Sequence, residues 1–130
     1  MLSLSIHDLG DATVFRCAGR ITADVRKTLQ EAVMKRLTRV AVLDLAEVTA
    51  IDAAGLGTLL WLEKSTRANG TKLKLMNLMP HVEEVLELTR LTPEFDVCSV
   101  EDMIDLLCRA VQRPRFAKAE AALQWSFGRA

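Results

Sequence analysis

Four consecutive apolar residues, Val40-Ala41-Val42-Leu43, set the strongest constraint on this chain. A β-branched-rich run with no polar interruption suits a strand covered on both faces, as in a parallel sheet with crossover helices. Asp44 closes the run, and Glu47-Val48-Thr49-Ala50-Ile51 reads as a turn. Asp52 then leads into Ala53-Ala54-Gly55-Leu56-Gly57. Leu56, Leu59 and Leu60 share one helical face, and Glu63 and Lys64 carry the helix on toward solvent. Asn69-Gly70 marks the helix exit, because both residues tolerate the left-handed conformation needed there.

The flanking segments extend this pattern. Leu2, Leu4 and Ile6 alternate with serines, as in an edge strand. A turn at Leu9-Gly10-Asp11 and a second strand, about Ala12 to Ala18, complete an N-terminal β-hairpin. A helix is expected from Ala23 to Leu37, capped by Thr22 or Asp24, with Val25, Leu29, Ala32, Val33 and Leu37 inside. Lys72 to Met76 is a strand, and Pro80 opens a helix that buries Val82, Val85, Leu86 and Leu88. Phe95 to Cys98 is a short strand. Ser99 and Asp102 cap the helix after it, whose inner face is Met103, Ile104, Leu107, Ala110 and Val111. The order β-β-α-β-α-β-α-β-α specifies an α/β domain with a mixed four- to five-stranded sheet and about four helices.

The segment LDLAEVTAIDAAGLGTLL resembles the core of the STAS domain (sulfate transporter and anti-sigma factor antagonist). In that family a strand ending in Leu-Asp precedes Asp-Ser-Ser/Thr-Gly-Leu/Ile-Gly at a helix start. Leu43, Asp44, Asp52, Gly55, Leu56 and Gly57 match. The resemblance implies the STAS fold over residues 1–112, leaving 113–130 as a helical C-terminal extension. It also implies a non-catalytic binding module that docks an anti-sigma factor or switch kinase. The docking surface would comprise Asp52, Ala53, Ala54, Gly55, Leu56, Gly57 and Leu60, with Thr22 and Asp24 beside them. Four positions depart from the family pattern. Ala53 stands where the family carries its phosphoacceptor serine, and Ala54 where it has Ser or Thr. Thr22 replaces an Asp, and Arg90 replaces a Gly after the Pro80 helix. Neither alanine can accept phosphate, which leaves Thr58 as a substitute acceptor. The family also includes accessory subunits of ABC transporters, which brace the ATPase, and modules of signalling scaffolds.

The residues themselves exclude several other chemistries. A helix start behind Asp52 favours an anion. Yet Leu60 occupies the third glycine position of a dinucleotide fingerprint, and no Gly-Lys-Ser/Thr follows for a P-loop. His7 and His81 lie far apart with no nucleophile motif between them, so no enzyme activity, cofactor or metal site is expected. Cys17, Cys98 and Cys108 are odd in number and dispersed, and read as reduced, buried thiols of a cytoplasmic protein.

Seventeen basic and seventeen acidic residues balance, so charge gives no case for nucleic acid. MLSLSIHDLG lacks the features of a signal peptide, and no stretch reaches the roughly 20 apolar residues of a membrane span. The last 18 residues carry four basic groups and one acidic, a net +3 that leaves −3 on the rest. Phe116, Leu123 and Phe127 form one helical stripe there, while Trp125 points elsewhere. A helix folded on its own domain, a homodimer contact and adsorption to a membrane are the alternatives for this tail.

Overall fold

The computed structural model describes residues 2–112. Strands β1 (Leu2–Asp8) and β2 (Ala12–Ile21) form the antiparallel hairpin, closed by a hydrogen bond from Leu9 N to Ala12 O of 2.8 Å. A single 3-10 turn (Ala23–Val25) leads into α1 (Arg26–Met34). Then come β3 (Val40–Ile51), α2 (Ala53–Ala68), β4 (Lys72–Met76) and α3 (Pro80–Leu88). A second 3-10 turn (Thr92–Glu94), β5 (Asp96–Val97) and α4 (Val100–Gln112) complete the described chain. The sheet order is β1-β2-β3-β4-β5, parallel throughout except for the β1 edge.

The central run behaves as its composition demands. Val40 to Leu43 are all buried, with alternate residues serving two separate cores. Ala41 and Leu43 join Phe15 and Leu75 under Leu29 and Val33 of α1, Leu59 and Leu62 of α2, and Val82 and Leu86 of α3. Val40 and Val42 join Leu9, Ala12 and Val14 under Leu106 of α4. Three helices therefore cover one face of the sheet and α4 covers part of the other.

β3 does not end at Asp44; it continues through the expected turn to Ile51. Beyond Asp44 it pairs only with β2, because β4 stops at Met76, opposite Asp44. Two register shifts, between Arg16 and Ala18 and between Gly19 and Arg20, each put an extra residue into β3. Each insertion changes which alternate residue faces the core. The inward series therefore runs Leu45, Val48, Ile51 at intervals of three.

Helix boundaries and faces also differ from expectation at particular residues. α1 starts only after the 3-10 turn and ends at Met34, which leaves Leu37 39% exposed. Glu63 is buried rather than solvent-facing, its carboxylate 3.2 Å from Arg67 one turn on. Leu88 is 76% exposed, so α3 buries only Val82 and Leu86 fully. On α4 the buried residue is Leu106, and Ile104 is 54% exposed. Cys17 and Cys98 are buried, but Cys108 is exposed. Ala110 and Val111 lie outside the residues whose side chains are described, as does the whole 113–130 extension.

The expected cap of the first helix is absent, since α1 begins after Val25 with no side-chain cap from Thr22 or Asp24, whereas the later caps follow the sequence. Thr71 N donates to Thr66 O and Gly70 N to Arg67 O, a Schellman exit from α2 with Gly70 at φ +78°. The same pattern closes α3: Leu91 N donates to Leu86 O and Arg90 N to Glu87 O. Here Arg90 takes the left-handed position, at φ +59°. Ser99 and Asp102 exchange hydrogen bonds of 3.0 and 3.1 Å as a capping box on α4. No helix among the described residues is long and apolar enough to cross a membrane.

Candidate functional site: the start of α2

The long β2–β3 pair carries the chain past β4 and delivers two loops side by side. Asp52 N donates to Ile21 O at 3.3 Å, which ties the end of β3 to the end of β2. Asp52 is extended (φ −108°, ψ −177°), and its carboxylate accepts from Gly55 N at 2.7 Å, capping α2. A carboxylate in that place also sits at the positive end of the helix dipole.

Gly55 is what allows the two loops to meet. A Cβ there would lie 2.0 Å from Ile21 O and 2.8 Å from the carbonyl carbon, both backbone atoms. The absent side chain lets the first turn of α2 rest on the end of β2, and the Thr22–Val25 segment follows directly. Thr22 makes no side-chain cap to that turn. Its hydroxyl instead donates to the Asp24 carboxylate. That bond, helped by the Asp24 backbone N–H, holds the Asp24 carboxyl below its usual range although the group is exposed.

The expected docking residues divide into two sets. Asp52, Ala53, Ala54, Gly57 and Asp24 are exposed, and Thr22 and Leu60 are half-buried. Gly55 and Leu56 face inward and support the surface without forming it. Thr58 is 2% exposed, and its hydroxyl donates to Ala54 O at 3.0 Å. A hydroxyl so placed is not presented to a kinase in this conformation.

Gly57 contrasts with Gly55. A Cβ at Gly57 would meet nothing within 4 Å. An exposed glycine inside a helix costs about 1 kcal/mol relative to alanine, and no contact among the described residues offsets it here. Trp61, 39% exposed, and Lys64 continue the exposed face C-terminally. Sequence reading passed over Trp61, although its spacing of four from Gly57 was a usable signal.

The STAS domain family profile matches residues 3–104. This chain belongs to the STAS domain family. Three solved structures illustrate the likeness of fold. The Bacillus anti-sigma factor antagonist SpoIIAA in its unphosphorylated form is 18% identical, with 82% of this chain and 97% of that one covered at a TM-score of 0.62. An anti-sigma factor antagonist from Mycobacterium paratuberculosis is 19% identical over 81% and 92%, at 0.65. A sulfate transporter family protein from Wolinella succinogenes is 19% identical over 84% and 93%, at 0.61. Identities of this size speak for the fold. Within this STAS domain the described residues contain no group of three His, Cys, Asp or Glu side chains able to hold a metal ion.

Proposed function

We propose that this STAS domain is a non-catalytic, cytoplasmic binding module. It docks an anti-sigma factor or related switch kinase on the exposed start of α2 and so regulates sigma-factor-dependent transcription. The observation that carries this reading is Gly57: a helix glycine with open space over it, flanked by exposed Ala53, Ala54 and Trp61. A flat, small-residue helix start lets a partner's backbone come close, and Trp61 supplies an aromatic anchor beside it.

The same residues explain how the module differs from a phosphorylation switch. A phosphate at position 53 would add nearly two negative charges beside the Asp52 carboxylate. Repulsion and desolvation would then weaken docking. Alanine at 53 and 54 removes both hydroxyls, so the surface stays in its binding state. Control over such a protein would act through its abundance or its partner. The second reading is an accessory subunit bracing the ATPase of an ABC transporter or a module of a signalling scaffold. The likeness to a sulfate transporter family protein supports keeping the transporter reading in the test.

Affinity capture from native extract, read by mass spectrometry, tests the proposal. An anti-sigma kinase is the expected capture. A transporter ATPase in its place would assign the second reading.

A further inference from the structure

A cleft of about 360 Å³ opens between α4 and the starts of β3 and β4. Lys72 and Lys74 alternate along β4 on the side away from the main core, which takes Leu73 and Leu75. Arg39 stands just before β3, and its carbonyl accepts from Lys72 N at 2.9 Å, which ties the two strand starts together. Asp102, Asp105 and Arg109, at intervals of three and four on α4, line the opposite wall. The cleft therefore gathers four cations and two carboxylates.

These charges do not cancel. Asp102 stands 3.6 Å from Lys74, and Asp105 stands 3.1 Å from Arg109. Arg39 and Lys72 have no ion pair among the described residues. Asp96, the register partner of Lys74 on β5, lines a neighbouring cleft instead. Four cations less two carboxylates leave +2 in a concave site. Residues 1–112 as a whole carry thirteen basic and sixteen acidic groups, a net −3. A cleft of one sign focuses its field and concentrates counter-ions.

The two paired cations are also held in place. The Asp102 oxygen that faces Lys74, Oδ2, accepts from Ser99 N at 3.0 Å, so the capping box of α4 fixes it. The Lys74 side chain is only 17% exposed. Each pair leaves donors over, because an ammonium carries three N–H groups and a guanidinium five.

We propose that this cleft binds a small molecule carrying a phosphate monoester. Such a group bears nearly two negative charges at neutral pH, equal and opposite to the surplus. Its oxygens accept hydrogen bonds in pairs from a guanidinium fork, which Arg39 and Arg109 supply. A volume of about 360 Å³ suits a small molecule. The balanced charge of the chain provides no extended basic surface for a nucleic-acid backbone. The cleft lies at the N-terminal ends of the parallel strands, whereas α2 starts beyond the C-terminal end of β3. The proposal is therefore independent of what docks at α2.

Titration of the isotopically labelled full chain with glucose 6-phosphate at constant ionic strength, followed by amide NMR shifts, tests it. Saturable shifts are expected at amides 39–40, 70–74 and 102–109, with a Kd below about 1 mM. Glucose itself should produce none. Arg39→Gln and Lys72→Gln should each weaken binding about tenfold, as the loss of one charge-assisted hydrogen bond does. Lys27→Gln, an exposed cation at the start of α1, should leave binding unchanged. Arg39 and Lys72 are exposed, and an unchanged spectrum away from the cleft shows that each variant is folded. Three results would overturn the proposal. One is the absence of saturable shifts at the cleft. Another is equal affinity in the parent and both cleft variants. The third is an equal response to sodium sulfate at the same ionic strength, which would report an ion atmosphere in place of a site.

Discussion

The Ile21 carbonyl oxygen occupies the space where a Cβ of Gly55 would stand, 2.0 Å from its ideal position. This contact joins the end of β2 to the start of α2 and sets the Thr22–Asp24 segment beside Ala53 and Ala54. Gly57, two residues on, has no such neighbour. The two glycines of Gly-Leu-Gly should therefore respond oppositely to the same substitution. Gly55→Ala presses on backbone that cannot rotate away and should destabilise by about 3 kcal/mol or prevent folding. Gly57→Ala should stabilise by up to about 1 kcal/mol while weakening partner capture. Urea denaturation of both variants checks the stability difference, and similar shifts in the two midpoints would refute it.

A second substitution should stabilise the fold away from the site. Arg90 holds φ +59° in the Schellman exit of α3, a conformation that favours glycine. Arg90→Gly should raise stability by about 1 kcal/mol, since strain relief exceeds the extra freedom glycine gives the unfolded chain. A fall in the thermal midpoint would show that the Arg90 side chain contributes more than its backbone strain costs.

Stability should also decline in alkali through one buried thiol. Burial, with the Asp44 carboxylate adding to it, pushes the Cys17 thiol up to about 12 from an ordinary 9.0. Above pH 9.0 the unfolded chain releases this proton while the folded chain retains it. The unfolded state then binds fewer protons, so stability falls with rising pH by up to about 1.4 kcal/mol per unit. The Cys17 contribution should be present in full below pH 9.0 and be lost between pH 9.0 and about 12, and Cys17→Ala should lack it while keeping that of Cys98, whose thiol burial also pushes up. Denaturation curves of the parent and Cys17→Ala across that range should diverge in slope. Parallel curves would count against a protonated Cys17.

Phosphate incorporation separates a missing switch from a relocated one. Given the captured kinase and ATP, Ala53→Ser should gain one phosphate and the parent none, by intact mass. Phosphate on the parent at Thr58 would require the first turns of α2 to open, because that hydroxyl is buried and bonded to Ala54 O.

Much of the fold was legible because its signals are local. The two-sided burial of Val40 to Leu43 called for a parallel sheet, Pro80 and Ser99-Asp102 marked helix starts, and Asn69-Gly70 marked an exit. The far half of β3 was not legible, for a specific reason. Its two insertions space Leu45, Val48 and Ile51 by three, which no longer shows the alternation of a strand. Polar Glu47 and Thr49 are tolerated there because β3 has lost its β4 neighbour. The inner face of α4 was misjudged because its apolar residues cover a wider arc than the sheet does, so periodicity pointed to Ile104 where packing selects Leu106. At the site, Asp52 declared its cap by position, whereas the different duties of Gly55 and Gly57 appear only once Ile21 is placed.

The affinity of the captured partner for the parent protein and for Ala53→Asp, measured by titration at physiological ionic strength, tests the central claim most directly. Position 53 is exposed in the first turn of α2, and an aspartate there adds a second carboxylate beside Asp52 without disturbing the core. Tight binding by the parent and at least tenfold weaker binding by Ala53→Asp are expected, with both proteins equally folded. Equal affinities would contradict the claim and would place the docking surface away from the start of α2.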